Sequence, residues 1–327
     1  MPGGSSEEEE NAMKKMYGIW KKWVLAGVVA TMTFAGSISA MAAEAWTVEN
    51  GQYVNAEGTP IVGALEKGIT VTKYQNRASE STGGIDWAKV KADGVSFAMV
   101  RLGYHNDMDP YYSMNINGAA AQGIKVGAFF YTQALDVQTA IDEANYVLAL
   151  VKDYPISYPI AYDVESKVLL DSGLTKQQIT DQINAFCSVI MDAGYRPVVY
   201  ANNAWLTEHI DASQIPYDIW YARYGTTNHD FKNRTIWQCD QYGKVDGIVG
   251  DVTIELSFTD YSTLIPADSW KKIGGQWYYM KNYVKQIGWV QVGDKWYYMD
   301  SNGAMVHDTT LSIDGKSYTF GSDGAMQ

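Results

Sequence analysis

At 327 residues, with 46% hydrophobic and 19% charged residues, the chain is globular and has room for one large domain plus something smaller. A formal net charge of −12 argues against nucleic acid as a partner, and against unaided electrostatic attraction to an anionic cell wall. The 24 Tyr and 11 Trp far outnumber the 8 Phe, a surplus of amphipathic rings that suits surfaces binding sugars and cations.

Residues 1–43 read as a leader. Lys14, Lys15, Lys21 and Lys22 form a positive n-region, Trp23 to Ala35 a mainly apolar run, and Ala40-Met41-Ala42 an A-x-A cleavage pattern. The run is short for a membrane span, so an export signal that is removed is expected, leaving a secreted chain without a permanent membrane anchor. The natural start is expected at Met13, because the preceding MPGGSSEEEEN is unlike an n-region.

Residues 44–64 read as an N-terminal hairpin around GQYVNAEGTPIVG. From 65 to 263, short apolar runs alternate with helical stretches. Strands are expected at Gly68–Thr72, Phe97–Arg101, Val126–Tyr131, Ile160–Asp163, Val198–Ala201, Ile219–Ala222, Ile236–Gln238 and Val252–Leu256. Helices are expected at Trp87–Asp93, Tyr111–Gln122, Val137–Asp153, Thr175–Ala193 and Asn203–His209. Thr175 and Gln178 form a capping box for the fourth of these, and Gly194 ends it. This alternation implies a mostly parallel sheet of the α/β class, closed as a modified (β/α) barrel with helices missing from its later half. Chemistry in such barrels sits at the C-terminal strand ends, where Arg101, Tyr131, Asp163, Glu165, Trp220 and Gln238 fall. Cys187 and Cys239 read as unpaired core residues. No Cys/His cluster has metal-ligand spacing, so no cofactor or metal is expected.

The sharpest chemical signal is Asp163-Val164-Glu165, closing the apolar run YPIAYDVE. In a strand, residues i and i+2 share a face, so both acids would look into one site. Two carboxylates in unlike environments, one protonated and one ionised, are what glycoside hydrolysis needs. The competing reading is a salt-bridged or capped strand end.

Residues 266–327 are a different material, with units GGQWYYM, GDKWYYMDSNGAM and GKSYTFGSDGAM. Each reads as a hairpin with a Gly-containing turn, too small to bury its own core, so the units must stack. The 44–64 segment is either a degenerate copy of this pattern or an unrelated hairpin.

The middle domain resembles glycoside hydrolase family 25, the muramidases. The resemblance covers roughly 195 residues. It is carried in order by KGITVTKYQ, IDWAKVKADGVSFAMVRLGY, DPYYSMNINGAAAQGIKVGAFFYTQA, YPIAYDVES, IWYARYG and IWQCDQYGKVDGIVG. It implies a modified β/α barrel that cleaves the β-1,4 bond between N-acetylmuramic acid and N-acetylglucosamine in peptidoglycan. Glu165 matches the family's general acid and Asp163 its assisting carboxylate. Tyr131 and Trp220 match sugar-contacting rings, and Arg101 and Gln238 polar contacts. Two positions depart. The family's first strand usually reads GIDVS, where this chain has GITVT with Thr70. Its last strand usually offers an aspartate, where VTIEL has Thr253, with Glu255 two residues on. These departures leave open a non-catalytic or weakly active wall-binding barrel, or action on a related amino-sugar polymer.

The tail resembles choline-binding or glucan-binding cell-wall repeats, which implies a choline-bearing or other wall polysaccharide as partner. Trp289 with Trp296 and Tyr297, and Trp270 with Trp277 and Tyr278, would supply the ring cages. Ser317 stands where the other units have Trp, so the third unit reads as a cap.

Overall fold

The computed structural model describes residues 46–55, 57–105, 107–225 and 234–327. The leader expected over residues 1–43 lies outside the described residues. Among the described residues, no helix is long and apolar enough to cross a membrane.

Strands β1 (Trp46–Glu49) and β2 (Gln52–Asn55) form the N-terminal hairpin. All eight expected barrel strands follow. They are β3 (Glu66–Val71), β4 (Val95–Tyr104), β6 (Lys125–Tyr131), β7 (Ile160–Asp163), β8 (Pro197–Asn202), β9 (Asp218–Ala222), β10 (Arg234–Gly243) and β11 (Val252–Ser257). A two-residue strand, β5 (Asp107–Met108), folds back on the end of β4. The sheet closes because β3 pairs with both β4 and β11. Neighbours from β3 round to β10 run parallel, whereas β11 is antiparallel to β10 and β3. An antiparallel return needs only a short connection, so no helix is required between β10 and β11.

Alternation along each strand divides two apolar clusters. In β4, Phe97 and Met99 point into the barrel, where Phe129, Tyr158, Val198, Trp220 and Ile236 also lie. Ala98, Val100 and Leu102 point outward to the helices. Those helices are α1 (Lys73–Ser79), α2 (Trp87–Ala92), α3 (Tyr112–Ala121), α4 (Val137–Val151), α5 (Lys167–Asp171) and α6 (Lys176–Asp192). The capping box of Thr175 and Gln178 is present. The expected helix at 203–209 is a single π-helical turn, Trp205–His209. Helix α1 is absent from the sequence expectation, although Thr72 and Gln75 give it a capping box of its own. Among the described residues beyond β8, the outer layer holds short helical turns at Trp205–His209, Ala212–Gln214 and Tyr261–Leu264. Cys187 and Cys239 are both free and buried.

The tail forms three hairpins, with a two-residue strand, β14 (Val284–Lys285), added to the first. They are β12 (Ser269–Ile273) with β13 (Gln276–Lys281), β15 (Gly288–Val292) with β16 (Lys295–Met299), and β17 (Thr309–Ile313) with β18 (Lys316–Phe320). Each of the last two closes with a bridge to the residue six positions on, Met299 to Met305 and Phe320 to Met326. The N-terminal hairpin does the same, Val54 to Pro60, and its Trp46 packs on Tyr53. The first tail hairpin docks on the barrel at the end of α6, where the Lys271 ammonium donates to the Gly194 carbonyl and lies 5.5 Å from the Tyr195 ring centroid.

Candidate active site

The barrel register lines up the strand ends that carry the site. Tyr131 pairs with Asp163, Asp163 with Tyr200, and Ala222 with Gln238. Strand β7 stops at Asp163, so Glu165 is not a strand residue. The pair shares one site for a different reason than strand alternation: the Glu165 backbone N–H donates to Asp163 Oδ1 at 3.2 Å. Thr132 fixes the end of β7 from the neighbouring strand, its N–H donating to the Asp163 carbonyl at 2.9 Å. One residue earlier, the Tyr162 hydroxyl donates to the buried Glu143 carboxylate at 2.7 Å, which also accepts from Thr132 at 2.6 Å.

Burial sets the chemistry of the pair. It pushes the Glu165 carboxyl up to about 7, against the pull of the Asn202 backbone and side chain, which hydrogen-bond it. Burial and the Glu165 charge hold Asp163 well above the carboxylate range, opposed by the Glu165 N–H and the Arg101 charge. Two close carboxyls so placed keep a proton into the neutral range, while the second takes the charge. A proton shared in this way is what an acid-assisted bond cleavage draws on, and it serves as the acid when it sits on Glu165.

The remaining expected site residues divide into three groups. Tyr131 is at the pair, its hydroxyl donating to the Glu165 carbonyl at 3.3 Å, and burial pushes it up to about 12. Arg101 is close enough for its charge to act on Asp163, but its guanidinium is committed to Asp109, with Nε at 2.9 Å and Nη2 at 2.8 Å from the same oxygen. Trp220 is a correction: it is 1% exposed, inside the barrel, edge-on to Phe129 and Tyr200, and cannot present a face to a sugar. Strand alternation sends it inward, and the barrel is a packed core rather than a pore. Gln238 is likewise buried. Its carbonyl oxygen accepts from the hydroxyls of Tyr200 (2.8 Å) and Tyr224, and its amide donates to Glu255 at 2.8 Å. Thr70 and Thr253 are register partners on β3 and β11, and both donate to Glu255 Oε1, at 2.7 and 2.9 Å. Burial pushes Glu255 up to about 7, with these three donors pulling the other way.

Sequence reasoning missed Asn202, Tyr200 and Tyr224. Each lies in or just after an expected strand, and the i, i+2 pattern of strand ends would have marked Tyr200 and Asn202 as sharing a face.

In the tail, Trp270, Trp277 and Tyr297 form a box of rings. Trp270 meets Trp277 at 6.5 Å and 88°, and Tyr297 of the next hairpin at 4.8 Å and 70°. With Met305 and Asp323 they line a pocket of about 270 Å³. The second set repeats the plan: Trp289 meets Trp296 at 6.3 Å and Tyr318 of the third hairpin at 4.8 Å. Tyr318 was not foreseen, although it follows Ser317 as Tyr297 follows Trp296. Tyr278 is a second correction, since it joins neither box. As the counterpart of Tyr297 in the first hairpin it has no preceding tail hairpin to face, and the Lys285 ammonium lies 4.2 Å from its ring centroid.

The model of glycosyl hydrolases family 25 matches residues 71–248, more than half of the chain. The chain belongs to glycosyl hydrolase family 25. A cell wall binding repeat of the choline-binding type matches residues 268–282 and 287–305. Lysozyme M1 of Streptomyces globisporus is 26% identical over 200 residues, which is 57% of this chain and 65% of that lysozyme. The chain therefore spans less than two thirds of that relative. The barrel fold is shared with the modular autolysin LytC of Streptococcus pneumoniae (TM-score 0.57, 24% identity, 65% of this chain and 52% of that one). It is also shared with a bacterial lysozyme of Streptomyces coelicolor (TM-score 0.51, 24% identity, 61% and 95%).

Proposed function

We propose that this family 25 protein is a secreted peptidoglycan hydrolase that cuts the β-1,4 bond between N-acetylmuramic acid and N-acetylglucosamine. The observation that carries this reading is the buried carboxyl pair at the barrel's strand ends, with Glu165 held up to about 7. Glu165 gives its proton to the glycosidic oxygen as the C–O bond breaks, and the sugar leaves with its new hydroxyl. Asp163 faces the positive charge that develops at the anomeric carbon, or steadies the acetamido group. Water completes the cleavage, and its proton returns to Glu165. Tyr131 holds the turn that carries Glu165.

The tail holds the enzyme to its substrate. A quaternary ammonium in the box of Trp270, Trp277 and Tyr297 gains ~0.5–2 kcal/mol per good ring contact. Asp323 lines the same pocket and adds a negative charge. A choline-bearing wall polymer fits this chemistry. The hairpin over 46–55 is taken as a related element that kept the turn plan and turned its Trp toward the barrel.

The test is release of muramic-acid reducing ends and loss of turbidity from purified peptidoglycan, with protein beginning at about Ala43 and its Glu165→Gln variant in parallel. Release by the wild type alone supports the reading. A second reading, a wall-binding barrel without catalysis, is favoured by Thr70 and Thr253 standing where carboxylates are expected. Co-sedimentation of both proteins with walls, without any release, would establish it.

A further inference from the structure

Thr70 and Thr253 each carry a single hydroxyl proton, and both protons are spent on one atom. Glu255 Oε1 accepts from Thr70 at 2.7 Å, from Thr253 at 2.9 Å and from Gln238 Nε2 at 2.8 Å. Glu255 is fully buried, and its other oxygen, Oε2, has no hydrogen-bond partner among the described residues. Because β11 runs antiparallel to β3, Thr253 sits at the mouth end of its strand and Glu255 one inward-facing position below. The two threonines are half-buried above it. Burial raises the Tyr224 hydroxyl, and the charges of Glu165, Glu255 and Asp163 add to that, so the three carboxylates lie round one ring. Gln238 ties Glu255 to Tyr200 and Tyr224, completing the link across the strand ends.

A hydroxyl that has donated its proton offers only lone pairs elsewhere. Thr70 and Thr253 are therefore acceptors toward the groove, as two carboxylates would be. One buried carboxyl beneath them stands in for the two carboxylates expected at their positions. We infer that Glu255 is a positioning residue that fixes the polarity of the barrel mouth: by holding the protons of Thr70 and Thr253, it makes both hydroxyls acceptors for the N–H and O–H groups of an amino sugar and places one carboxyl directly beneath them. This rests on the glycosidase reading above and deepens it. Nothing in the arrangement requires Glu255 to touch the sugar.

The experiment is a charge swap between strands. Wild type, Glu255→Gln, Thr70→Asp and the double variant Thr70→Asp/Glu255→Gln are compared on peptidoglycan, with Glu165→Gln as the inactive control. Glu255→Gln should lower kcat on the order of a hundredfold, the scale for losing one preorganised electrostatic group. Thr70→Asp alone should also lose activity, because it adds a second carboxylate against Glu255. The double variant should recover at least about tenfold over Glu255→Gln, because the charge returns on the facing strand. A double variant no better than either single one, with circular dichroism and melting intact, overturns the inference, as does an unchanged kcat in Glu255→Gln. If the wild type releases nothing, the muramidase reading fails on its own, and the four proteins are compared by urea unfolding at pH 8. Strong non-additivity of the two substitutions then supports the shared charge, and additivity overturns it.

Discussion

Glu165→Gln provides a stability test that needs no substrate. Burial moves the Glu165 carboxyl from its ordinary 4.5 to about 7 in the folded chain. At 1.36 kcal/mol per unit, ionising it in the fold costs about 3 kcal/mol more than ionising it in the unfolded chain. The folded-state value is raised, so this group's contribution is fully present below pH 4.5 and is lost as pH rises through about 7. Glutamine keeps an oxygen that can accept from the Asn202 N–H and carries no charge at any pH. It also relieves Asp163, whose carboxyl the Glu165 charge helps to hold high. The variant should therefore match the wild type near pH 4.5 and exceed it by about 3 kcal/mol at pH 8. At roughly 2–4 °C per kcal/mol for a domain of this size, Tm should rise by roughly 6–12 °C at pH 8. Differential scanning calorimetry of both proteins across pH 4–8 reads this directly. A Tm difference that does not change with pH, or a variant less stable at pH 8, would refute the argument that burial strains the pair.

The same shift sets the activity profile. Reducing-end release should fall as pH rises through about 7, because the acid must carry its proton, and a flat profile to pH 9 would sink Glu165 as the donor. Glu143→Ala leaves the Gln133 N–H and one of the Thr132 and Tyr162 hydroxyls without an acceptor, since those two hydroxyls bond each other at 2.7 Å. Urea unfolding should show a loss of roughly 2–6 kcal/mol at about 1–3 kcal/mol for each of the two unsatisfied donors. In the tail, Trp270→Ala should weaken retention on an immobilised quaternary ammonium several-fold, whereas Tyr278→Ala should leave it nearly unchanged. Equal losses would mean that the boxes are not the binding sites.

Much of the architecture was legible in residue order. Eight apolar runs bounded by turn residues marked the barrel strands, because a strand covered on both faces must be apolar throughout. The capping box at Thr175 and the repeated Trp-Tyr-Tyr steps were equally local. So was the closeness of Asp163 and Glu165, two residues apart on any backbone. What the one-dimensional pattern could not decide was which strand-end side chains face the mouth and which the interior. Trp220 and Gln238 stand in the same pattern as Tyr131, yet barrel closure buries the first two and leaves the third beside the pair. The carboxylate at Glu255 joins residues 185 apart in the chain, Thr70 and Glu255, through a hydrogen bond that exists only once β3 and β11 close the sheet. The raised values of Glu165 and Glu255 come from burial, a property of the packed barrel and not of any short segment. Local chemistry thus named the acids and the rings. Only the closed sheet and the stacked hairpins determined which of them work together.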